Sequence, residues 1–337
     1  FKRPLRSLAM KRKTPPDPTD APKCKEEVNS WDLNDVLEEL LDGLNLTKDL
    51  SLQELSLKGF PISSKVKERL EAVLEELQHG SGAALLRFPA TWIEGLGEDA
   101  CERCFLGLCA HLGRPVTQST DLQEISARVE VAKKPEVLAA KHTTRRGYRN
   151  AKDQFLHNDS SIPAARGKGV CDILAMLCFR PSAAGGVSKM ASAVSIHELL
   201  KEQPEVLEAA QKGFKYDAAS VEYHPDWRSP PAVGEERPMI FHDSKGRPCV
   251  QYAKNMVETI SAAYANAPIL DHIMVALKGL EGACSDPRVV QYWPLQAGEA
   301  YLVDNYRWLH ARTDFEDDPK APRLLFRLWL QVEHFDS

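Results

Sequence analysis

Apolar residues recur at helical spacing in two stretches near the N-terminus: Leu33, Val36, Leu37, Leu40 and Leu41 over 32–43, and Val66, Leu70, Val73, Leu74 and Leu77 over 64–78. Each predicts an amphipathic helix with one buried stripe. From Gly82 the texture changes. Ala83-Ala84-Leu85-Leu86-Arg87-Phe88 is an apolar run of strand length, followed by helical spacing over 98–111 and a Gly113-Arg114-Pro115 break. Further strand-length runs fall at 170–179, 239–242, 299–304 and 323–332, separated by Gly and Pro turns, and helical spacing returns at 194–212 and 254–280. Separated strands with helices between them predict a mainly β fold of the α+β class, a sandwich or barrel flanked by helices. No repeat of fixed period is present. The expected organisation is a flexible leader over 1–27, rich in Lys, Arg, Pro and Asp, a helical extension over 28–81, and one catalytic domain over 82–337.

Composition narrows the function classes. With 43% hydrophobic and 27% charged residues in 337, the chain is globular and long enough for a sizeable core. A formal net charge of -5 gives no overall attraction to nucleic acid, and Trp227, Trp293 and Trp329 stand apart from any basic stripe, so they read as packing residues. The expected partner is a small molecule, and a homo-oligomer is compatible with the sequence. Eight scattered cysteines, most within apolar runs, read as reduced thiols of a cytoplasmic protein. Cys101-x-x-Cys104 lacks a second ligand pair and sits at helical spacing, which favours core thiols over zinc. No apolar run is long enough to span a membrane, no signal-type segment opens the chain, and Lys11-Arg12-Lys13 reads as a solvated basic tail.

Chemistry enters at Gln154 through Ser160, where His157 and Asp159 stand two residues apart. On a strand, residues i and i+2 face the same way, so one imidazole and one carboxylate can reach a common metal. Two histidines and a carboxylate on one face of an octahedron, with the opposite face open, bind iron(II) for oxygen chemistry. The triplet alone also describes a surface histidine beside a turn aspartate. A third ligand is offered by 301–313, where an apolar strand carries His310 into a stretch bearing Asp304, Asn305 and Arg312, groups costly to bury without partners. Asn305 is expected to orient the surroundings of His310. Beyond His310, Arg323 and Arg327 lie four apart in a strand-like run and share one face. If that face is interior, an anionic ligand follows, because the guanidinium fork stays charged and suits carboxylate or sulfonate. The opposite orientation turns both arginines to solvent and buries Leu324, Phe326 and Leu328. His242, after Met239-Ile240-Phe241, stands between pocket and rim, and His197 reads as a surface helix residue.

Together these segments resemble the taurine dioxygenase-like (TauD/TfdA) family of Fe(II)/2-oxoglutarate enzymes, which includes clavaminate synthase and γ-butyrobetaine hydroxylase. The resemblance covers roughly 82–332. It rests, in order, on Arg146-Gly147-Tyr148 leading to His157-Asn158-Asp159, on Gly185-Gly186-Val187-Ser188, on Asp304-Asn305 through His310-Ala311-Arg312, and on Arg323 through Arg327. It implies a double-stranded β-helix, a jelly roll of the cupin-like kind, with His157, Asp159 and His310 as ligands of Fe(II), and with 2-oxoglutarate and O2 as co-substrates. It further implies that Arg323 pairs with the distal carboxylate of 2-oxoglutarate, that Ser188, where the family usually has threonine, hydrogen-bonds the same carboxylate, and that Arg327 holds an anionic group of the prime substrate. Arg323 and Arg327 can exchange these roles, and Arg312 can serve either site. Asn158 and His242 are further candidate substrate contacts. The implied reaction decarboxylates 2-oxoglutarate to succinate and CO2 and oxidises an unactivated carbon. A carboxylate at Asp159, where halogenating relatives carry a small residue, disfavours halogenation. Hydroxylation is the expected outcome, with desaturation or ring closure using the same ligands. The expected substrate is a small carboxylate, amino acid or sulfonate, with 213–238 as a lid. Two rivals remain at this point: a catalytically silent jelly-roll module whose N-terminal helices dock a partner, and a zinc hydrolase built on the same three ligands.

Overall fold

The longest apolar runs become strands buried on both faces. A computed structural model of the chain describes residues 28–118, 124–130, 151–159, 171–214, 238–253 and 271–333. The leader, Cys24, Arg146-Gly147-Tyr148, Trp227, most of the expected lid and residues 254–270 of the expected helix 254–280 lie outside them. In chain order, β1 (Asn29–Asp32), α1 (Leu37–Leu46), α2 (Leu52–Lys58) and α3 (Ser64–His79) precede β2 (Ala83–Arg87), α4 (Ala90–Leu96), α5 (Glu98–Cys109), β3 (Arg114–Val116) and β4 (Ser126–Val129). There follow β5 (Ile173–Arg180), β6 (Ala184–Gly185), β7 (Ser188–Ser192), α6 (Ala193–Leu200), α7 (Pro204–Gln211), β8 (Ile240–His242) and β9 (Pro248–Val250). The chain closes with α8 (Asp271–Ala283), β10 (Gln291–Trp293), β11 (Glu299–Asp304), β12 (Trp308–Arg312), β13 (Phe315–Glu316) and β14 (Leu324–Gln331).

The large sheet runs β1-β2-β11-β5-β14-β3, with β4 also paired to β14; a smaller sheet runs β10-β7-β12. Strand alternation divides the side chains cleanly. On the outer face of the large sheet, Leu86, Ala175, Leu302, Phe326 and Leu328 join one core with Leu40, Val66, Leu70 and Leu77 of the N-terminal helices and Phe105 of α5. On its inner face, Leu174, Met176, Tyr301, Leu325 and Trp329 meet Met190, Trp293 and Trp308 from the smaller sheet. The outer face of the smaller sheet, through Ala191, Leu309 and Ala311, is covered by Ile196, Leu200, Val206, Leu277 and Leu280 of α6, α7 and α8. The result is a sandwich of two sheets with a helical layer on each side. Each fully buried aliphatic side chain contributes about 1.5–3 kcal/mol to holding these layers.

Several elements differ in extent from the sequence expectation. The first helix begins at Leu37, because 29–32 pairs in parallel with β2, Trp31 standing opposite Leu86. Residues 28–81 therefore supply an edge strand and three helices that share the core of the large sheet. The stretch 194–212 splits in two where Pro204 opens α7, since proline is accepted in a first helical turn and not in an interior. Helices α1 and α5 both close on Phe60: a Cβ at Gly43 would lie 2.6 Å from its ring and one at Gly107 would lie 2.1 Å from it. Cys101 and Cys104 are buried on α5, and burial pushes both thiols upward, away from the thiolate a zinc site needs.

Candidate metal centre

The smaller sheet carries the third ligand. Along β12, Trp308, His310 and Arg312 point into the sandwich while Leu309 and Ala311 point out to the helices. The segment carrying His157 pairs with this strand: His157 N donates to His310 O at 3.0 Å and His310 N donates to His157 O at 2.9 Å. The two imidazole rings are thereby brought to 4.4 Å between centroids. Nδ1 of His157 lies 2.8 Å from the Phe155 carbonyl, which fixes that nitrogen as the N–H donor and leaves Nε2 with its lone pair. Nε2 of His157 is 3.4 Å from Oδ1 of Asp159, and Nε2 of His310 is 3.7 Å from Oδ2. One donor atom from each of the three residues lies within 4.8 Å of the others.

The electrostatics suit a cation at this point. Burial, reinforced by neighbouring His157, lowers His310 to about 4, so its ring is neutral near pH 7, as a metal ligand must be. Burial alone would raise Asp159, but the Arg327 charge and both imidazoles hold it well below the usual carboxylate range. Nδ1 of His310 is buried without a hydrogen-bond partner among the described residues. Two imidazoles, that of His310 neutral, and one ionised carboxylate meeting in one corner fit a divalent metal of the two-histidine, one-carboxylate type.

Two asparagines build the corner from the backbone. Asn305 accepts from Asp159 N at 3.1 Å and donates to Asp159 O at 2.6 Å and Cys171 O at 2.9 Å, so it brackets the peptide of Asp159 rather than the surroundings of His310. Asn158 accepts from Tyr252 N at 2.8 Å and donates to the Asn305 carbonyl. Its amide is thus committed to main chain on both sides, a bracing position and not the substrate contact expected from its place in the motif. His242 is not brought to the centre either: it is exposed on β8, with its ring 5.3 Å from that of His197 on α6.

The arginines face inward. Odd-numbered residues of β14 line the sandwich, so Leu325, Arg327 and Trp329, and Arg323 just before the strand, share the metal side while Leu324, Phe326 and Leu328 pack under the helices. Both faces are core, and the contest between arginine and leucine resolves without a solvent face. Arg323 is 4% exposed; its guanidinium carbon stands 5.2 Å from the centroid of Phe315, and among the described residues it makes no side-chain hydrogen bond. Gly186, at φ 67°, gives it room, since a Cβ there would lie 3.2 Å from Arg323 Nε and 2.4 Å from Ser182 Oγ. Arg312 lies over the other side of the same neighbourhood, 4.7 Å from the Phe315 centroid, and donates to Lys152 O at 2.8 Å; burial lowers it to about 10. Ser188, buried on β7, is directly cross-strand from Arg312. Arg327 donates to Asp159 Oδ2 at 2.7 Å and to Gln118 Oε1 at 2.7 Å, and Trp329 Nε1 donates to Asp159 Oδ2 at 3.0 Å. Sequence reasoning missed Gln118 altogether and took Trp329 for packing; an indole N–H close to a buried carboxylate is visible only in three dimensions.

The profile of the taurine catabolism dioxygenase TauD, TfdA family matches residues 46–329. The chain belongs to the TauD/TfdA family. As a dioxygenase of this family it takes iron(II), 2-oxoglutarate and O2, and the fold expected from the resemblance is borne out. FR-33289 synthase of Streptomyces rubellomurinus (strain ATCC 31215) is 29% identical over 294 residues, covering 85% of this chain and 79% of that one. Among solved structures, asparagine oxygenase with Fe(II), 2S,3S-3-hydroxyasparagine and succinate superposes with a TM-score of 0.63 at 15% identity, over 90% of this chain and 93% of that one. The non-heme iron oxygenase OrfP with Fe and alpha-ketoglutaric acid gives 0.60 at 15% identity, over 91% and 95%. At these identities the likeness is one of fold. The family match begins within the segment expected as a separate extension. Among the described residues of this TauD/TfdA dioxygenase, no helix is long and apolar enough to cross a membrane.

Proposed function

We propose that this TauD/TfdA dioxygenase hydroxylates an unactivated C–H bond of a small anionic or zwitterionic substrate, an amino acid first and a carboxylate or sulfonate next. The observation that carries the reading is the charge between the sheets: Arg312, Arg323 and Arg327 are all buried there, Arg327 paired with Asp159 and Arg323 without a side-chain hydrogen bond among the described residues. Buried guanidinium groups call for anions. A dianionic co-substrate and an anionic group on the substrate meet that demand together. Two neighbours in fold were crystallised with hydroxylated amino acids, 3-hydroxyasparagine and (3S)-hydroxy-L-Arg, which favours the amino acid within this class.

Bound at His157, Asp159 and His310, iron(II) supplies O2 activation coupled to decarboxylation of 2-oxoglutarate to succinate and CO2. The chain's own part is to bind, orient and exclude water. Arg323, a buried guanidinium with no side-chain hydrogen bond among the described residues, takes the distal carboxylate of 2-oxoglutarate, with the Ser188 hydroxyl and Arg312 on the facing strand. Arg327 completes the cationic wall on the metal side, where the anionic group of the substrate is held. Asn305 and Asn158 keep the peptide of Asp159 in place while these ligands enter and leave.

The test is an anaerobic titration of iron(II) and 2-oxoglutarate, following the weak visible charge-transfer band of their chelate in the wild type and in His310→Ala. The band should appear in the first and be lost in the second. A panel of amino acids, carboxylates and sulfonates is then scored for substrate-dependent succinate. A wild type without the band at saturating iron, or a panel in which only neutral compounds stimulate turnover, would overturn the proposal.

A further inference from the structure

Trp329 and Gln118 have no part in the roles above, yet both are buried in one hydrogen-bonded chain that ends on Asp159. Oδ2 of Asp159 accepts from Arg327 Nη1 at 2.7 Å and from Trp329 Nε1 at 3.0 Å. Both donors stand on the inner face of β14, two residues apart, so the strand's own repeat sets the two N–H groups on the same oxygen. Arg327 is in turn gripped at two points by Gln118, just beyond β3. Its Nε donates to Gln118 Oε1 at 2.7 Å, and Gln118 Nε2 donates to the Arg327 carbonyl at 2.7 Å and to Ile125 O at 3.1 Å. A side chain that binds both the head and the main chain of one arginine fixes its rotamer. The other oxygen of the carboxylate, Oδ1, lies 3.4 Å from Nε2 of His157, while Nε2 of His310 stands 3.7 Å from Oδ2.

We propose that Trp329, directly, and Gln118, through Arg327, are positioning residues that commit Oδ2 of Asp159 to N–H donors, so that the carboxylate offers a divalent cation the single oxygen Oδ1. A carboxylate free to turn can give both oxygens to one ion and occupy a position that 2-oxoglutarate requires; two donors on one oxygen prevent the turn. Groups that orient a metal ligand in this way typically change affinity by about 10–100-fold when removed. The inference rests on His157, Asp159 and His310 being the metal ligands.

Cobalt(II) titrated into the metal-free protein reads both affinity and, from the position and intensity of its visible bands, coordination. Trp329→Phe keeps the ring and removes the N–H, and Gln118→Leu removes the grip on Arg327. Each should weaken cobalt(II) binding about tenfold or more and alter the bands. A role in packing alone would instead lower the urea midpoint of the metal-free protein and leave affinity and bands as they are. Cobalt(II) affinity within twofold of the wild type, with an unchanged spectrum, in either folded variant overturns the proposal. If Trp329→Phe does not fold, Gln118→Leu, which leaves the indole donor in place, decides it. His310→Ala serves as the control: equal binding by the wild type and this variant would sink the ligand assignment itself, a different failure from unchanged binding in Trp329→Phe.

Discussion

Arg323 sets stability and function against each other, and replacing it with methionine should separate the two. Its guanidinium is buried without a carboxylate hydrogen-bond partner among the described residues, and Asp317 binds its backbone N–H at 2.6 Å instead. Burial pulls its pKa down, which marks the charged form as strained in the protein alone. The contact with the Phe315 ring returns about 0.5–2 kcal/mol, less than the several kcal/mol that an ion loses on leaving water. Methionine fills a similar volume without charge. The metal-free variant should therefore be more stable than the wild type by about 1–4 kcal/mol in urea unfolding. Its affinity for 2-oxoglutarate, measured by anaerobic calorimetry with iron(II) present, should fall by about 2–5 kcal/mol, or roughly 30-fold to several thousandfold. Lysine would not rescue it, because a point charge does not replace the fork. An unchanged 2-oxoglutarate affinity would refute Arg323 as the anion anchor; lost affinity with lowered stability would refute the claim that its charge is uncompensated.

Asp304 predicts a pH dependence of folding. Its Oδ1 accepts from Tyr306 N at 2.9 Å and Arg307 N at 3.2 Å, while its buried Oδ2 has no partner among the described residues, and burial raises it from an ordinary 3.8 to about 7. A folded-state value above the unfolded one means that this contribution is fully present below about pH 4 and is lost as pH rises through about 7. Asp304→Asn, which keeps the Oδ1 acceptor, should remove that loss, making the variant the more stable protein at pH 8 by up to about 4 kcal/mol and not at pH 4; parallel stability profiles would count against it. Gly107→Ala places a methyl against Phe60 and should cost about 1–3 kcal/mol in urea unfolding even though alanine is the better helix former, with cobalt(II) affinity unchanged. A neutral or stabilising effect would show that α1 and α5 can part at little cost.

The metal triad was legible because its signal is short-range. His157 and Asp159 declare themselves by strand spacing, and His310 by an apolar strand that ends in polar groups. The orientation of Arg323 and Arg327 was not, because Arg-Leu-Arg-Trp and Leu-Phe-Leu-Leu alternate along a strand buried on both faces, and alternation identifies two faces without saying which is chemical. The first helix was drawn too long because Leu33, buried just beyond an edge strand, happens to continue the helical spacing of Val36 and Leu40. Of the smaller sheet, Ser188–Ser192 went unrecognised because its inward positions alternate serine with methionine. His242 and Asn158 were misplaced for a common reason: proximity in sequence to a motif or an apolar run says nothing about where a side chain is spent. Gln118 had no pattern at all, since its partners lie at residues 125 and 327.

A strand committed on both faces also polices its own assembly. If β14 paired with β5 one residue out of step, both arginines would enter the helical layer among Leu40, Leu70 and Phe105, and Phe326 and Leu328 would take their place beside the metal ligands. Two buried charges in an apolar layer are far costlier than a misplaced leucine. The two arginines proposed to receive anions in the finished enzyme thus also proofread the sheet while it forms. New substrate preferences are accordingly easier to evolve or engineer in the loops around the sandwich than along this strand, where altering the chemistry also loosens the error check.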